Sequence, residues 1–99
     1  MGGRGPRGVG REVAEAHAQV EATAKQAETA AAAVTVAEDG FRLDSERVRQ
    51  AQGRPIEVLD SFRQLLDARL EVLRAAVAAG VAQFRLYAAA GNTPAVTPP

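Results

Sequence analysis

An unbroken seven-residue repeat constrains this chain more than any other feature. Val13, Val20, Ala27, Val34, Phe41 and Val48 follow one another at that spacing without exception. Ala16, Ala30, Ala37 and Ala51 occupy the companion position, which Thr23 and Asp44 interrupt. A sustained apolar heptad predicts a helix with a coiled-coil-like seam. Small companion residues allow the partner helix to approach closely. Glu21–Lys25 and Glu38–Arg42 stand four apart with the acid first, the favourable order on an outer helix face. Gly40 is a weak point, costing about 1 kcal/mol relative to alanine.

The repeat stops at residues 51–55, Ala-Gln-Gly-Arg-Pro. Gly53 can take the left-handed conformation that ends a helix. Pro55 suits the first turn of the next helix, where its missing N–H costs nothing. Arg54 is a poor N-cap, so another group must satisfy the first amides. A second helix is expected over residues 56–90. Ile56, Leu70, Val77 and Phe84 share one heptad position, broken by Arg63. Leu59, Leu66, Leu73 and Tyr87 share another, broken by Gly80, and Val58, Leu65, Val72, Ala79 and Leu86 form a third. Together these rows cover an arc of roughly 160°, too wide for one partner helix. Gly91-Asn92 then signals a stop, and Pro94, Pro98 and Pro99 favour an extended tail.

The expected fold is therefore all-α: a long antiparallel two-helix coiled-coil hairpin with flexible termini. Its parts are a disordered Gly/Arg-rich leader (1–10), a hairpin (11–92) and a Pro-rich disordered tail (93–99). Within the hairpin, helix 11–52 and helix 56–90 flank a turn at 51–55. The connection is too short for anything but an antiparallel return.

Composition agrees. Of the 46 hydrophobic residues among 99, 22 are alanine. That leaves little bulk for a globular core but suits long helices packed side by side. Twelve basic residues balance twelve acidic ones, so no basic stripe recommends nucleic-acid binding. The absence of cysteine excludes disulfides, thiolate metal sites and cysteine catalysis. No run of about 18 apolar residues exists to span a membrane as a helix. The start, MGGRGPRGVGRE, has no apolar core of an export signal.

From the turn onward the sequence resembles a known family. The run GRPIEVLDSFRQLLDARLEVLRAAVAAGVAQFRLYAAAG is similar to the C-terminal repeat of the outer membrane efflux proteins, the TolC family. The shared features are Gly53, the cluster Glu57-Val58-Leu59-Asp60, the stretch Ala82-Gln83-Phe84-Arg85-Leu86-Tyr87 and the closing Gly91. The stretch before the turn resembles the helix that precedes it in the family, so the likeness covers residues 11–92.

That resemblance implies a part in efflux transport. In the family, three protomers join a β-barrel in the outer membrane to an α-helical periplasmic tunnel. An inner-membrane pump and a periplasmic adaptor feed the tunnel, whose entrance is formed by the hairpin turns. The implied partners are thus two further copies or the remainder of a channel chain, with adaptor and pump. Contact with the membrane would come only through barrel segments that this chain lacks. The family needs two repeats with strands, so one hairpin without an export signal is expected to be a fragment of such a channel. The implied location, outer membrane and periplasm, is the family's.

Carried over by position, Glu57 and Asp60 match acidic residues that face the pore constriction in some members. A carboxylate ring at a narrow pore attracts cations. Gly53, Arg54 and Pro55 mark the tip turn, and Ala51 stands where the family often has glycine. The plainer reading makes Glu57 and Asp60 helix N-terminal acids stabilised by the dipole. No catalytic residues are assigned, because a bare hairpin offers no pocket for an acid/base pair. No cofactor or metal is expected either, since His17 with Glu21 falls short of the ligands zinc wants. Arg42, Arg47, Arg49 and Arg54 interleave with Asp39, Asp44 and Glu46 as a solvated face. The second class of function is a free-standing coiled-coil interaction or adaptor module without transport activity.

Overall fold

The computed structural model describes the backbone of residues 4–91 and the side chains of residues 10–91. It contains two helices, α1 (Arg4–Arg49) and α2 (Pro55–Gly91), joined as a hairpin. No strand occurs among the described residues. α1 starts within the segment that glycine content assigned to a leader. Extending a nucleated helix adds one hydrogen bond per residue, which offsets the poor propensity of its glycines. The expected 93–99 tail lies outside the described residues.

The chain divides into two compact units. The turn unit is Gln26–Ala75, and the terminal unit is Met1–Lys25 with Ala76–Pro99. Each contains a piece of α1 and a piece of α2.

The seam of α1 is the one the repeat foretold. In the turn unit Ala27, Ala30, Val34, Ala37, Phe41, Asp44 and Val48 are buried or half-buried. In the terminal unit Val13, Ala16, Val20 and Thr23 are likewise covered. Thr23, an interruption by composition, belongs on this seam. Its hydroxyl donates to the carbonyls of Gln19 at 2.9 Å and Val20 at 3.1 Å. A threonine bonded back to its own helix presents mainly its methyl group to the neighbour. It therefore packs much as alanine would.

α2 departs from expectation. Only one of its three large apolar rows, that of Val58, Leu65, Val72, Ala79 and Leu86, lies on the seam. The other seam row is Ser61, Ala68, Ala75, Ala82 and Ala89, all of them small. The remaining bulky rows face solvent: Leu73 is 64% exposed and Phe84 70% exposed. A periodicity reading weights large side chains, and it passes over a seam chosen for closeness. When small residues meet, the helices approach closely enough for dispersion contacts to accumulate along the backbone. Both helices place small residues at this position, so the hairpin closes on them.

Cross-helix contacts in the turn unit set the register. Ser61 Oγ donates to Asp44 Oδ2. The Phe41 and Phe62 rings lie 5.4 Å apart, tilted by 46°. Arg69 pairs with Glu38 at 3.2 Å. Counting back seven in α1 and on seven in α2 from Asp44 and Ser61 brings Ala37 level with Ala68. The same step brings Ala30 level with Ala75. The expected Glu38–Arg42 pair gives way to this arrangement, with Arg42 turning to Asp39 at 3.2 Å. Glu21 and Lys25 form no ion pair among the described residues. Exposed pairs of this kind contribute little, so the exchange costs little.

The stop of α1 also differs from expectation. The left-handed residue is Ala51, at φ 61°, and no described glycine has positive φ. Gln52 N–H donates to Arg47 O at 2.7 Å, and Ala51 N–H donates to Val48 O at 2.9 Å. These two bonds are those of a Schellman stop with Ala51 at its left-handed position. Gly53 serves space instead. A Cβ there would lie 3.2 Å from Arg47 Cβ and 3.3 Å from Glu57 Oε1. Ala51→Gly is expected to stabilise the chain by about 1 kcal/mol, because glycine removes the Cβ penalty. A urea midpoint at or below that of the parent chain would contradict this.

Candidate functional site at the hairpin turn

Several polar side chains of the turn unit line one open groove beside the turn. It has a volume of about 880 Å³ and is lined in part by Asp44, Arg47, Glu57, Asp60 and Ser61. Apolar walls come from Val36, Ala37 and Ile56. Two of the tip residues frame its start. Pro55 is the first residue of α2, and Arg54 precedes it as the N-cap.

Glu57 supplies what Arg54 lacks as a cap. Its Oε1 accepts from the Arg54 backbone N–H at 3.2 Å. In return the Glu57 N–H donates to the Arg54 carbonyl at 2.9 Å. This is the reaching-back half of a capping box, made by the acid at the third helical position. Glu57 is half-buried against the turn, and it sits in the first turn of α2 where the helix dipole favours negative charge. Its position is thus explained by the fold of the hairpin alone.

Asp60 has a lighter engagement. It is exposed, and its Oδ2 accepts from Gln64 Nε2 at 2.9 Å. That i,i+4 contact lies on the helix surface and leaves the other carboxylate oxygen to solvent. Arg54 is exposed, and its side chain forms no ion pair among the described residues.

Asp44 and Ser61 were not singled out by sequence. Asp44 registered as a flaw in the apolar repeat and as part of a solvated face, whereas it is half-buried and bonded to Ser61, which lay on an unrecognised row. The signal that could have found them is their occurrence near the turn at matching seam positions of both helices. Ser61 is buried and has two acceptors for one hydroxyl hydrogen, Asp44 Oδ2 and the Glu57 carbonyl at 3.0 Å. Asp44→Ala is expected to cost about 1–2 kcal/mol, because it removes a charge-assisted bond in a covered place. Adding Ser61→Ala should restore most of that loss, since alanine at both positions continues the seam. Urea denaturation of the two single variants and the double variant measures the cycle. A double variant no more stable than Asp44→Ala alone would contradict it.

The arrangement offers little reactive chemistry. Each of the three groove carboxylates has a hydrogen-bond donor. Among the described residues no group of three or more His, Asp or Glu side chains gathers to hold a metal ion. His17, the only histidine, is exposed in the terminal unit. What the groove presents is negative charge at the end of a hairpin, held by caps and seam bonds.

No family model, curated protein or solved structure matches this chain.

Proposed function

We propose that this hairpin is a building block of a TolC-like efflux channel, supplying tunnel helices and the turn at the pore entrance. One observation supports the reading above the others. The hairpin buries a row of small residues on α2 and leaves Ile56, Leu59, Leu66, Leu70, Leu73, Val77, Phe84 and Tyr87 on the outside. Such a helix suits a wall in which every helix has a neighbour on both sides, and a tunnel is a wall of that kind. The Glu-Val-Leu-Asp cluster after the turn, which resembles the family's C-terminal repeat, selects this assembly from other helical walls.

In this reading Asp60 is the better pore-facing residue. Glu57 is committed to capping α2, whereas Asp60 is exposed and engaged only by Gln64. A ring of Asp60 carboxylates would draw cations to the entrance. Adaptor and pump would meet the assembly at the turn. No helix of the described residues is long and apolar enough to cross a membrane.

A graft tests the proposal. Residues 11–92 replace the second hairpin of a TolC-family channel, and drug efflux is measured in cells that depend on that channel. The expected result is retained export, with Asp60→Asn weakening block by multivalent cations. Loss of export from a chimaera that still reaches the outer membrane as a trimer would contradict the proposal. The second reading, a free-standing coiled-coil interaction module, rests on the same outward stripe, since any apolar helix could lie on it. It would be favoured by that failed graft together with a hairpin that binds other helices in isolation.

A further inference from the structure

We infer that a second copy of this chain docks on the outer face of α2, antiparallel and in one register. The inference concerns the isolated chain and does not rest on the channel reading. α2 is one unbroken helix, so its outer rows follow from residue number. Those rows form a second heptad seam: Ile56, Leu59, Arg63, Leu66, Leu70, Leu73, Val77, Gly80, Phe84 and Tyr87. Their spacing alternates between three and four throughout, as in a coiled coil. Every apolar member of the row is exposed.

The two interruptions of this seam identify the occupant. Set antiparallel on its own copy so that Ile56 meets Tyr87, every position of the row has a partner. Leu59 then meets Phe84, Leu66 meets Val77 and Leu70 meets Leu73. In that register Arg63 falls opposite Gly80. The one bulky charged residue meets the one residue without a side chain, and the guanidinium can leave over the glycine toward water. Gly80 is not required by its own hairpin, because a Cβ there would meet nothing within 4 Å. Arg63 is exposed and makes no ion pair among the described residues. A parallel pair would instead stack Arg63 on Arg63 and leave a void between two glycines.

Charge points the same way. The first half of α2 carries Glu57, Asp60, Asp67 and Glu71 against Arg63 and Arg69, a net charge of −2. From residue 74 to its end α2 carries Arg74 and Arg85 with no acid, a net charge of +2. Antiparallel pairing lays each half on its opposite. Parallel pairing lays like on like, which disfavours it.

The chain has no cysteine, so added thiols report without background. Arg63→Cys and Gly80→Cys are made separately in the full chain, mixed at tens of micromolar and oxidised. The expected product is a covalent dimer joining one variant to the other, because the two positions face each other. Neither variant alone should cross-link efficiently. Like positions stand 17 residues apart in this register, about 25 Å along the helix. Sedimentation of the unmodified chain should give the mass of two copies, and Leu70→Glu with Leu73→Glu should abolish that mass. Efficient cross-linking of either variant to itself would mean parallel pairing and overturn the inference. So would a monomeric mass across that concentration range, which would leave the face to another kind of helix.

Discussion

Ala82→Leu is expected to destabilise the hairpin by about 1–3 kcal/mol. Ala82 is 2% exposed, in the row of small residues on which α2 closes against α1 in the terminal unit. A leucine there would need space that the close approach of the helices has removed. Either the helices separate, and neighbouring small residues lose their contacts, or the new side chain takes a poor rotamer. Both outcomes cost free energy, because close-packed interiors relax only in part. A hairpin of this size has little stability in reserve, since a marginal fold stands only a few kcal/mol above its unfolded chain. The conventional view of alanine as the small residue of a weak core predicts the opposite sign, with leucine filling space and stabilising. Thermal and urea denaturation followed by circular dichroism separate the two. A raised midpoint for Ala82→Leu would contradict the close seam.

Leu65→Ala and Leu66→Ala should differ widely although the residues are neighbours. Leu65 is 4% exposed, the only leucine among the buried residues, whereas Leu66 is 47% exposed. Removing a buried leucine side chain costs about 2–5 kcal/mol, the value depending on how far the site collapses. Leu65 shares its seam row with half-buried Val58 and Val72, each fixed at its own heptad place on α2. The loss should therefore be a large share of the total stability of the chain. Leu66 gives up only the contacts it makes on the open face, and Leu66→Ala should change hairpin stability by less than about 1 kcal/mol. Its effect belongs to association instead. At dilutions where copies are separate the two variants should differ most. Equal losses at such dilution would mean that α2 is turned differently from the arrangement described.

Much of this architecture can be read from residues. The repeat from Val13 to Val48 specifies the inner face of α1, because no other heptad row of that stretch is apolar throughout. The reversal near Pro55 follows from the short break between two periodic segments. The inner face of α2 was not legible in the same way. Three apolar rows competed, and the seam took the one bordered by Ser61, Ala68, Ala75, Ala82 and Ala89. Size decided the matter, not hydrophobicity, and pattern reading assigns most weight to the side chains that this fold turns outward. The stop of α1 was misplaced by two residues for a similar reason. Glycine is the usual left-handed residue, yet Ala51 takes that role while Gly53 clears the way for Arg47 and Glu57. At the turn, the position of Glu57 was legible as a dipole-favoured acid, and its bond to Arg54 N–H gives that role a specific partner. The Asp44–Ser61 bond was hidden because each residue alone reads as a defect in an apolar stripe.

The central claim is that α2 turns its row of small residues, Ser61 to Ala89, toward α1 and its row of Leu59, Leu66 and Leu73 outward. Two double-cysteine variants of this cysteine-free chain test it most directly. Ala30→Cys with Ala75→Cys joins two buried positions that the register places level in the turn unit. Ala30→Cys with Leu73→Cys moves the second thiol to the exposed face of α2. Oxidised at nanomolar concentration, the first variant should form an intramolecular disulfide rapidly, read as loss of both thiols at the mass of one chain. The second should keep its thiols. Closure of the Ala30–Leu73 pair in preference to the Ala30–Ala75 pair would show leucine on the inside, and would contradict the account.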